Sequence, residues 1–299
     1  MEPGQPSRTA VFVCQGRAVA DGRAEVEPFA DPIAEQLLSV DELVPVRLAR
    51  SGELPTNGRA RLAVQSVSAC AAVMAPRTVL IDAAVSKTLE QRVDSQVVLL
   101  GAGLDGRPWR LAALRGITVF SVDHPASQAD LRRRAEDLPS PVCDLRFVAV
   151  DLTHEPLGPR LAAAGHDPLR PTVWIWEGVI PYLSRPQVTA TVDALTGVSA
   201  AGSVLVAQYQ SRSLSAQIGR RVAGLASRLT GAPSPLAGEP WRSLWSERQI
   251  ARLLGDRDWA VDCDVNLLQS TTRYDTPYGG AGSLANGRVA VARLGARSS

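Results

Sequence analysis

Lysine is nearly absent. Lys87 is the single one, so the basic charge of this 299-residue chain is carried almost wholly by arginine. Chemistry that needs a lysine, such as a Schiff base or the Tyr-x-x-x-Lys pair of many nicotinamide reductases, has almost nothing to draw on. Thirty-two basic residues against thirty acidic ones leave a net charge of +2, and no basic stripe for a nucleic acid. The four cysteines, Cys14, Cys70, Cys143 and Cys263, lie far apart, as do the three histidines, so no metal-ligand spacing appears. Buried free thiols in a reducing compartment are expected. The N-terminus lacks a secretory pattern, and no window reads as a run of about 18 apolar residues fit to span a membrane. A soluble cytoplasmic protein with no nucleic-acid or membrane partner is the expectation. The sequence does not decide between a monomer and a homodimer.

What is present is an apolar run that stops at a glycine turn, Gln96-Val-Val-Leu-Leu-Gly-Ala-Gly-Leu-Asp-Gly106. This reads as a buried strand opening into a loop that lets a ligand approach the backbone. Before it, some ninety residues read as helical. Arg8–Asp21 forms one helix. Phe29–Leu38 forms another, with Asp31 as N-cap and Pro32 as its first residue. A longer pattern over Asn57–Met74 is broken at Pro76 and resumes over Val79–Val93.

After it, strands and helices alternate. Strand-like Gln96–Leu100, Ile117–Val122, Arg146–Val150, Thr172–Trp176 and Ser203–Ala207 are separated by helical Pro108–Leu114, Gln128–Asp137, Leu157–Ala164 and Pro186–Leu195, the last capped by Ser184. Such alternation predicts an α/β fold with a parallel sheet. Leu214–Leu229 reads as an amphipathic helix and Gly231–Pro240 as a loop. Ser246-Glu-Arg-Gln249 is a capping box opening a helix to Leu254. Ala260–Val265 and Arg288–Leu294 would bring the sheet to seven strands, with Gly279–Gly287 as a loop or turn. The division expected is an N-terminal helical region over 1–94, and a core over 95–299 carrying a helical lid insertion at about 211–255.

Two cofactors compete for the glycine loop. Gly101-Ala-Gly-Leu-Asp-Gly106 matches G-x-G-x-x-G, and Asp123 follows Gly103 by 20 residues, the distance of a ribose-binding acid in a dinucleotide site. S-adenosylmethionine makes other demands: a carboxylate for two ribose hydroxyls, an acceptor for the adenine amino group, a cation for its carboxylate and an acid for its ammonium. Asp123, Asp151, Arg77 and Glu177 supply these, and three of the four stand at carboxyl ends of expected strands, where open α/β sheets bind ligands. Asp123 and Asp151 equally suit helix N-caps, and Glu177 a local ion pair.

Several ordered motifs then resemble the leucine carboxyl methyltransferase-like family, nearest its bacterial polyketide O-methyltransferase branch. They are Ser7-Arg-Thr9, Phe29-Ala-Asp-Pro32, Arg77-Thr78 with Ile81-Asp82, Val98–Asp105, Arg107, Val122-Asp123-His-Pro125, Val150-Asp-Leu152 and Glu177-Gly-Val-Ile-Pro-Tyr-Leu183. The resemblance implies a class I methyltransferase (Rossmann-like) fold, S-adenosylmethionine as cofactor with S-adenosylhomocysteine as product, and no metal. It places Arg77 on the cofactor's carboxylate, and Gly101, Ala102 and Gly103 along the methionine moiety. Asp123 with His124 would lie at the ribose, Asp151 with Leu152 at the adenine, and Glu177 with Gly178 near the amino group. Asp105, within the loop motif, is expected to pair with Arg107 and shape the loop. The chain departs from the family at Gly106, where Thr is usual, losing a hydroxyl near the cofactor.

The expected reaction is methyl transfer to a small molecule, foremost O-methylation of a carboxylate or phenol in polyketide-like specialised metabolism. Methylation at carbon or nitrogen, a protein carboxyl terminus as acceptor, and an NAD(P)-dependent oxidoreductase are the alternatives. No catalytic base stands out. Tyr182 and Tyr209 are positioning candidates. Tyr182, Tyr209, Gln210, Trp241 and Trp245 are candidates for the substrate side, although both tryptophans equally suit anchoring of the lid.

Overall fold

The computed structural model describes residues 7–22, 29–92, 94–152, 154–211, 241–273 and 281–296. The expected helix Leu214–Leu229 and loop Gly231–Pro240 lie outside the described residues.

Among the described residues, four α-helices precede the sheet. α1 (Arg8–Ala20) starts at Ser7, whose side chain accepts from the Ala10 N–H. α2 (Pro32–Gln36) starts at Asp31, which caps the Ala34 N–H, with Pro32 at the first position as the sequence predicts. α3 (Val40–Ser51) is a helix that the sequence reading passed over, although its capping box, Ser39 with Glu42, is visible in the sequence. α4 (Gly58–Glu90) corrects another expectation. It is one continuous helix of 33 residues with Pro76 inside it. The proline leaves the Ala72 carbonyl without its usual donor. Packing on both sides outweighs that cost: Val64, Val67, Ala71 and Ala75 are buried with α1–α3, while Ile81, Val85 and Leu89 are buried against the sheet. An 18-residue window of α4 reaches a mean hydropathy of 1.4, a value membrane spans also reach, but 61% of that window is buried inside the fold.

The sheet has seven strands: β1 (Gln96–Leu100), β2 (Thr118–Asp123), β3 (Asp144–Ala149), β4 (Thr172–Trp176), β5 (Val204–Gln210), β6 (Trp259–Asn266) and β7 (Gly287–Leu294). Their order is β3-β2-β1-β4-β5-β7-β6. β1 to β5 are parallel, and β7 is antiparallel to both of its neighbours. The topology reverses at β1, where Leu100 pairs with Val122 on one side and Trp176 on the other. Ligands of open α/β sheets bind at such a crevice.

The crossover helices are α5 (Arg107–Arg110, followed by a 3-10 turn at Ala112–Leu114), α6 (Pro125–Arg134), α7 (Leu157–Ala163) and α8 (Arg185–Gly197). α9 (Glu247–Gly255) starts at the expected capping box. Between β6 and β7, the described residues form α10 (Leu267–Arg273) and α11 (Ala281–Asn286), and the latter replaces most of the expected loop. Residues alternate along the central strands between two cores, as the period of two requires. Val98, Leu100, Trp174 and Trp176 face α7–α9, while Val97, Leu99, Val173 and Ile175 face α4.

All four cysteines are free, but burial is not uniform. Cys14 and Cys70 are buried, Cys143 is half-buried and Cys263 is exposed. Burial pushes the Cys14 and Cys70 thiols up to about 12, which leaves them inert.

Candidate active site

A cavity of about 770 Å³ opens at the carboxyl ends of β1–β4, roofed by α1. Its floor is the glycine loop. Gly101 (φ 65°) and Gly103 (φ 53°) take the left-handed conformation that glycine adopts without strain. A Cβ on Gly101 would come within 2.3 Å of Val179 Cγ2, and one on Gly103 would stand 3.0 Å from Ala10 Cβ. The loop is thus pressed between the turn after β4 and the roof. Its Gly101 and Ala102 N–H groups donate to the Val122 carbonyl at 2.8 and 3.1 Å, which ties the loop to β2.

Asp123 ends β2. Its Oδ2 accepts from the Gly103 N–H and its Oδ1 from the His124 N–H, each at 2.6 Å. The carboxylate is therefore oriented by backbone at the edge of the cavity. Asp151 follows β3, and its Oδ2 lies 2.9 Å from His154 Nδ1 and 4.0 Å from His124 Nε2. Leu152 lines the cavity beside it. Gly178 is held by its N–H donating to Gln208 Oε1 at 3.1 Å.

Behind the loop runs a continuous chain of eight charges. Arg17 bonds Asp31 at 2.9 Å, and Asp31 meets Arg110 at 3.4 Å. Arg110 and Arg107 share Asp82 at 2.7 and 2.6 Å. Arg107 also holds Asp105 at 2.6 Å and Glu177 at 2.8 Å, and Arg77 closes the chain on Glu177 at 2.7 Å. Burial alone would raise the Glu177 carboxyl, but the Arg107, Arg77 and Arg17 guanidiniums outweigh it and hold the carboxyl well below the usual carboxylate range. Burial works against the Arg107 charge, and Asp105, Glu177 and Asp82 overcome that too, so it stays fully protonated. Arg77 spends its Nε on Glu177, while its Nη groups have no hydrogen-bond partner among the described residues.

Arg77, Gly101, Ala102, Gly103, Asp105, Asp123, His124, Asp151, Leu152, Glu177, Gly178 and Tyr182 all line this one cavity. Tyr209, Gln210, Trp241 and Trp245 do not. Tyr209 and Gln210 lie within β5, not beyond it, and Tyr209 is fully buried with its hydroxyl donating to Asp264 at 2.6 Å. Trp245 is buried, donates to Ser243 Oγ at 3.0 Å, and carries the Arg185 guanidinium 4.4 Å from its ring centroid. Gly106 is not a lining residue either. It faces α2, where a Cβ would stand 2.9 Å from Asp31 Oδ1 and 3.2 Å from Ile33 Cβ.

Other lining residues were not singled out by the sequence reading. Arg17, Ala10 and Val13 come from α1, Ser127 from α6, His154 from the turn after β3, Gln187 from α8, and Arg242 from the stretch before α9. Arg17 had a signal, a charge deep within a helix whose only other charge is Arg8 at its start. The Thr9 and Ser127 hydroxyls, both lining the cavity, are buried with no partner among the described residues.

The donor set fits S-adenosylmethionine. Free Arg77 Nη donors suit its carboxylate, Asp123 its ribose, and Asp151 with Leu152 its adenine. The comparisons agree. The family model for leucine carboxyl methyltransferase matches residues 10–196. A Streptomyces avermitilis protein named "Putative S-adenosyl-L-methionine-dependent methyltransferase" is 34% identical over 254 residues, which covers 81% of this chain and 85% of that one. A Streptomyces coelicolor protein of the same description is 32% identical over 281 residues, covering 93% and 90%. Among solved structures, a DUF574 family protein from Streptomyces avermitilis superposes with a TM-score of 0.57 at 14% identity, covering 94% of this chain and 96% of that one. Magnesium protoporphyrin IX methyltransferase from Synechocystis, with bound S-adenosylhomocysteine, gives 0.50 at 14% identity, covering 76% and 87%. With the sheet order, the cavity at the strand ends and these matches in agreement, the chain belongs to the leucine carboxyl methyltransferase family and is an S-adenosylmethionine-dependent methyltransferase.

Proposed function

We propose that the protein methylates an oxygen of a small molecule that reaches the site already ionised, a carboxylate or an acidic phenol. One observation carries this reading: away from Asp151, the described residues that line the cavity include no histidine, lysine or cysteine to serve as a base. The histidines that line the cavity, His124 and His154, both stand at Asp151, the residue expected at the adenine. Beyond the glycine loop, the turn after β4 offers Tyr182 and Leu183, and α8 offers Gln187. No lysine or cysteine lines the cavity among the described residues. An acceptor that needed deprotonation would forgo the roughly 10²–10⁴-fold help a base gives. An ionised oxygen needs only alignment and exclusion of water.

S-adenosylmethionine, when bound, supplies an activated sulfonium methyl. Arg77 and Glu177 would hold its amino-acid end, Asp123 its ribose, and α1 would shield it from solvent. A volume of about 770 Å³ falls in the range of small-molecule sites and leaves space beside a cofactor for a modest acceptor. The test is transfer of labelled methyl to hydroxybenzoates and simple phenols, followed by mild alkali. Methyl esters release labelled methanol and aryl ethers retain the label. Label on nitrogen, on carbon or on the carboxyl terminus of a peptide overturns the reading.

A further inference from the structure

Three arginines line the cavity, Arg17, Arg77 and Arg242. The first two are buried and paired with carboxylates. Arg242 is exposed, and no ion pair to it occurs among the described residues. The carboxylates that line the same cavity are engaged elsewhere: Glu177 and Asp105 with arginines, Asp123 with backbone N–H groups, Asp151 with His154.

The position of Arg242 is fixed by its backbone. Its N–H donates to the Pro181 carbonyl at 2.6 Å, and the Ser243 N–H reaches the same carbonyl at 3.3 Å. Ser243 Oγ donates to the Ile180 carbonyl at 3.1 Å and accepts from Trp245 Nε1 at 3.0 Å. Arg185 locks the far end by donating to the Leu244 carbonyl at 2.9 Å. The residues from 242 to 245 are therefore stapled to the turn that carries Tyr182 and Leu183. An exposed guanidinium therefore stands on a tethered backbone at the edge of the cavity, and its donors meet no carboxylate among the described residues.

We infer that the methyl acceptor carries an anionic group, a carboxylate or its sulfonate equivalent, separate from the oxygen that is methylated, and that Arg242 binds this group. The inference rests on the small-molecule reading above. The separation follows from position and chemistry. Arg242 is exposed at the rim, whereas Gly101, Ala102 and Glu177 mark the less exposed interior. A guanidinium on the reacting oxygen itself would also hold the electron pair that must attack.

The test uses the full chain saturated with S-adenosylhomocysteine, as wild type, Arg242→Gln and Arg242→Lys. Each is titrated by calorimetry with 3-hydroxybenzoate, 3-hydroxybenzenesulfonate and neutral 3-hydroxybenzamide. The wild type should bind at least one anionic probe about tenfold or more tighter than the amide. Arg242→Gln should erase that preference, and Arg242→Lys should keep part of it. S-adenosylhomocysteine affinity should be the same in all three proteins, which separates this site from the cofactor's. Equal binding of acid and amide, binding of neither, or a preference that survives in Arg242→Gln overturns the inference. If the preference depends on Arg242 but the methyl label appears on nitrogen or carbon, the anion site stands and the oxygen reading falls.

Discussion

Glu177 Oε1 accepts a hydrogen bond from Arg77 Nε at 2.7 Å, between residues 100 positions apart in the chain. The contact joins α4 to the end of β4. It aims the remaining Arg77 donors into the cavity, and it keeps a buried carboxylate ionised between two guanidiniums. Glu177→Gln leaves those guanidiniums undercompensated, at a cost of about 3 kcal/mol. The expected outcome is a thermal midpoint lowered by several degrees, with weaker S-adenosylhomocysteine binding.

The same pair sets an acid limit on stability. The folded Glu177 carboxyl lies well below its ordinary value of 4.5. Its contribution is therefore fully present above that ordinary value, and is lost as pH falls from there toward the folded value. Denaturant midpoints measured from pH 7 downward should fall less steeply in Glu177→Gln than in wild type. Parallel curves would show that another group controls the acid limb.

Asp123→Ala removes the acceptor expected at the ribose hydroxyls. Calorimetry should show S-adenosylhomocysteine affinity reduced about 10- to 100-fold. Since Asp123 also receives the Gly103 and His124 N–H groups, the control is near-native circular dichroism in the variant. Unchanged affinity with intact fold would remove Asp123 from the site.

At Gly101, geometry forbids a side chain twice over: φ is 65°, and the Cβ would overlap Val179. Gly101→Ala should destabilise by about 2–3 kcal/mol in urea unfolding. The double variant with Val179→Ala should recover part of that loss, the part owed to crowding. Strict additivity of the two substitutions would mean that backbone strain is the entire cost.

Tyr209→Phe distinguishes packing from catalysis. The hydroxyl is buried on Asp264 at 2.6 Å, and burial together with that hydrogen bond pushes the phenol well above its usual range. The substitution should cost about 1–2 kcal/mol of stability and leave kcat/KM unchanged. A large fall in kcat would return Tyr209 to the catalytic machinery.

The strands were legible because burial on both faces leaves short apolar runs bounded by turns. Thr172–Trp176 coincides with its expected span, and β1 likewise. Caps were legible too: Asp31, Ser184 and Ser246 all sit where hydrogen-bonding chemistry requires. What escaped were features decided by tertiary packing. Pro76 looks like a break in a linear reading, yet α4 passes through it because both halves are buried. Tyr209 looks substrate-facing beyond a strand end, yet pairing with β7 extends β5 to Gln210. Gly106 looks like a lost cofactor contact, yet its neighbours are Asp31 and Ile33 of the N-terminal region. The cofactor acids could be listed from motifs, whereas the partners that orient them, such as Arg107 for Glu177, lie far away in sequence and emerge only on folding.

The eight-membered chain of Arg17, Arg77, Arg107 and Arg110 with Asp31, Asp82, Asp105 and Glu177 sums to zero charge. A pocket wall that is already neutral exerts no net pull on a simple cation or a simple anion. What it offers is a local dipole, positive at Arg77 and negative at Glu177. Such a wall selects ligands whose own amino and carboxylate groups oppose it in the right order. On the proposed reading, an adenosyl compound stripped of either group would leave the wall's balance disturbed, so decarboxylated or deaminated analogues should bind more weakly than the intact cofactor.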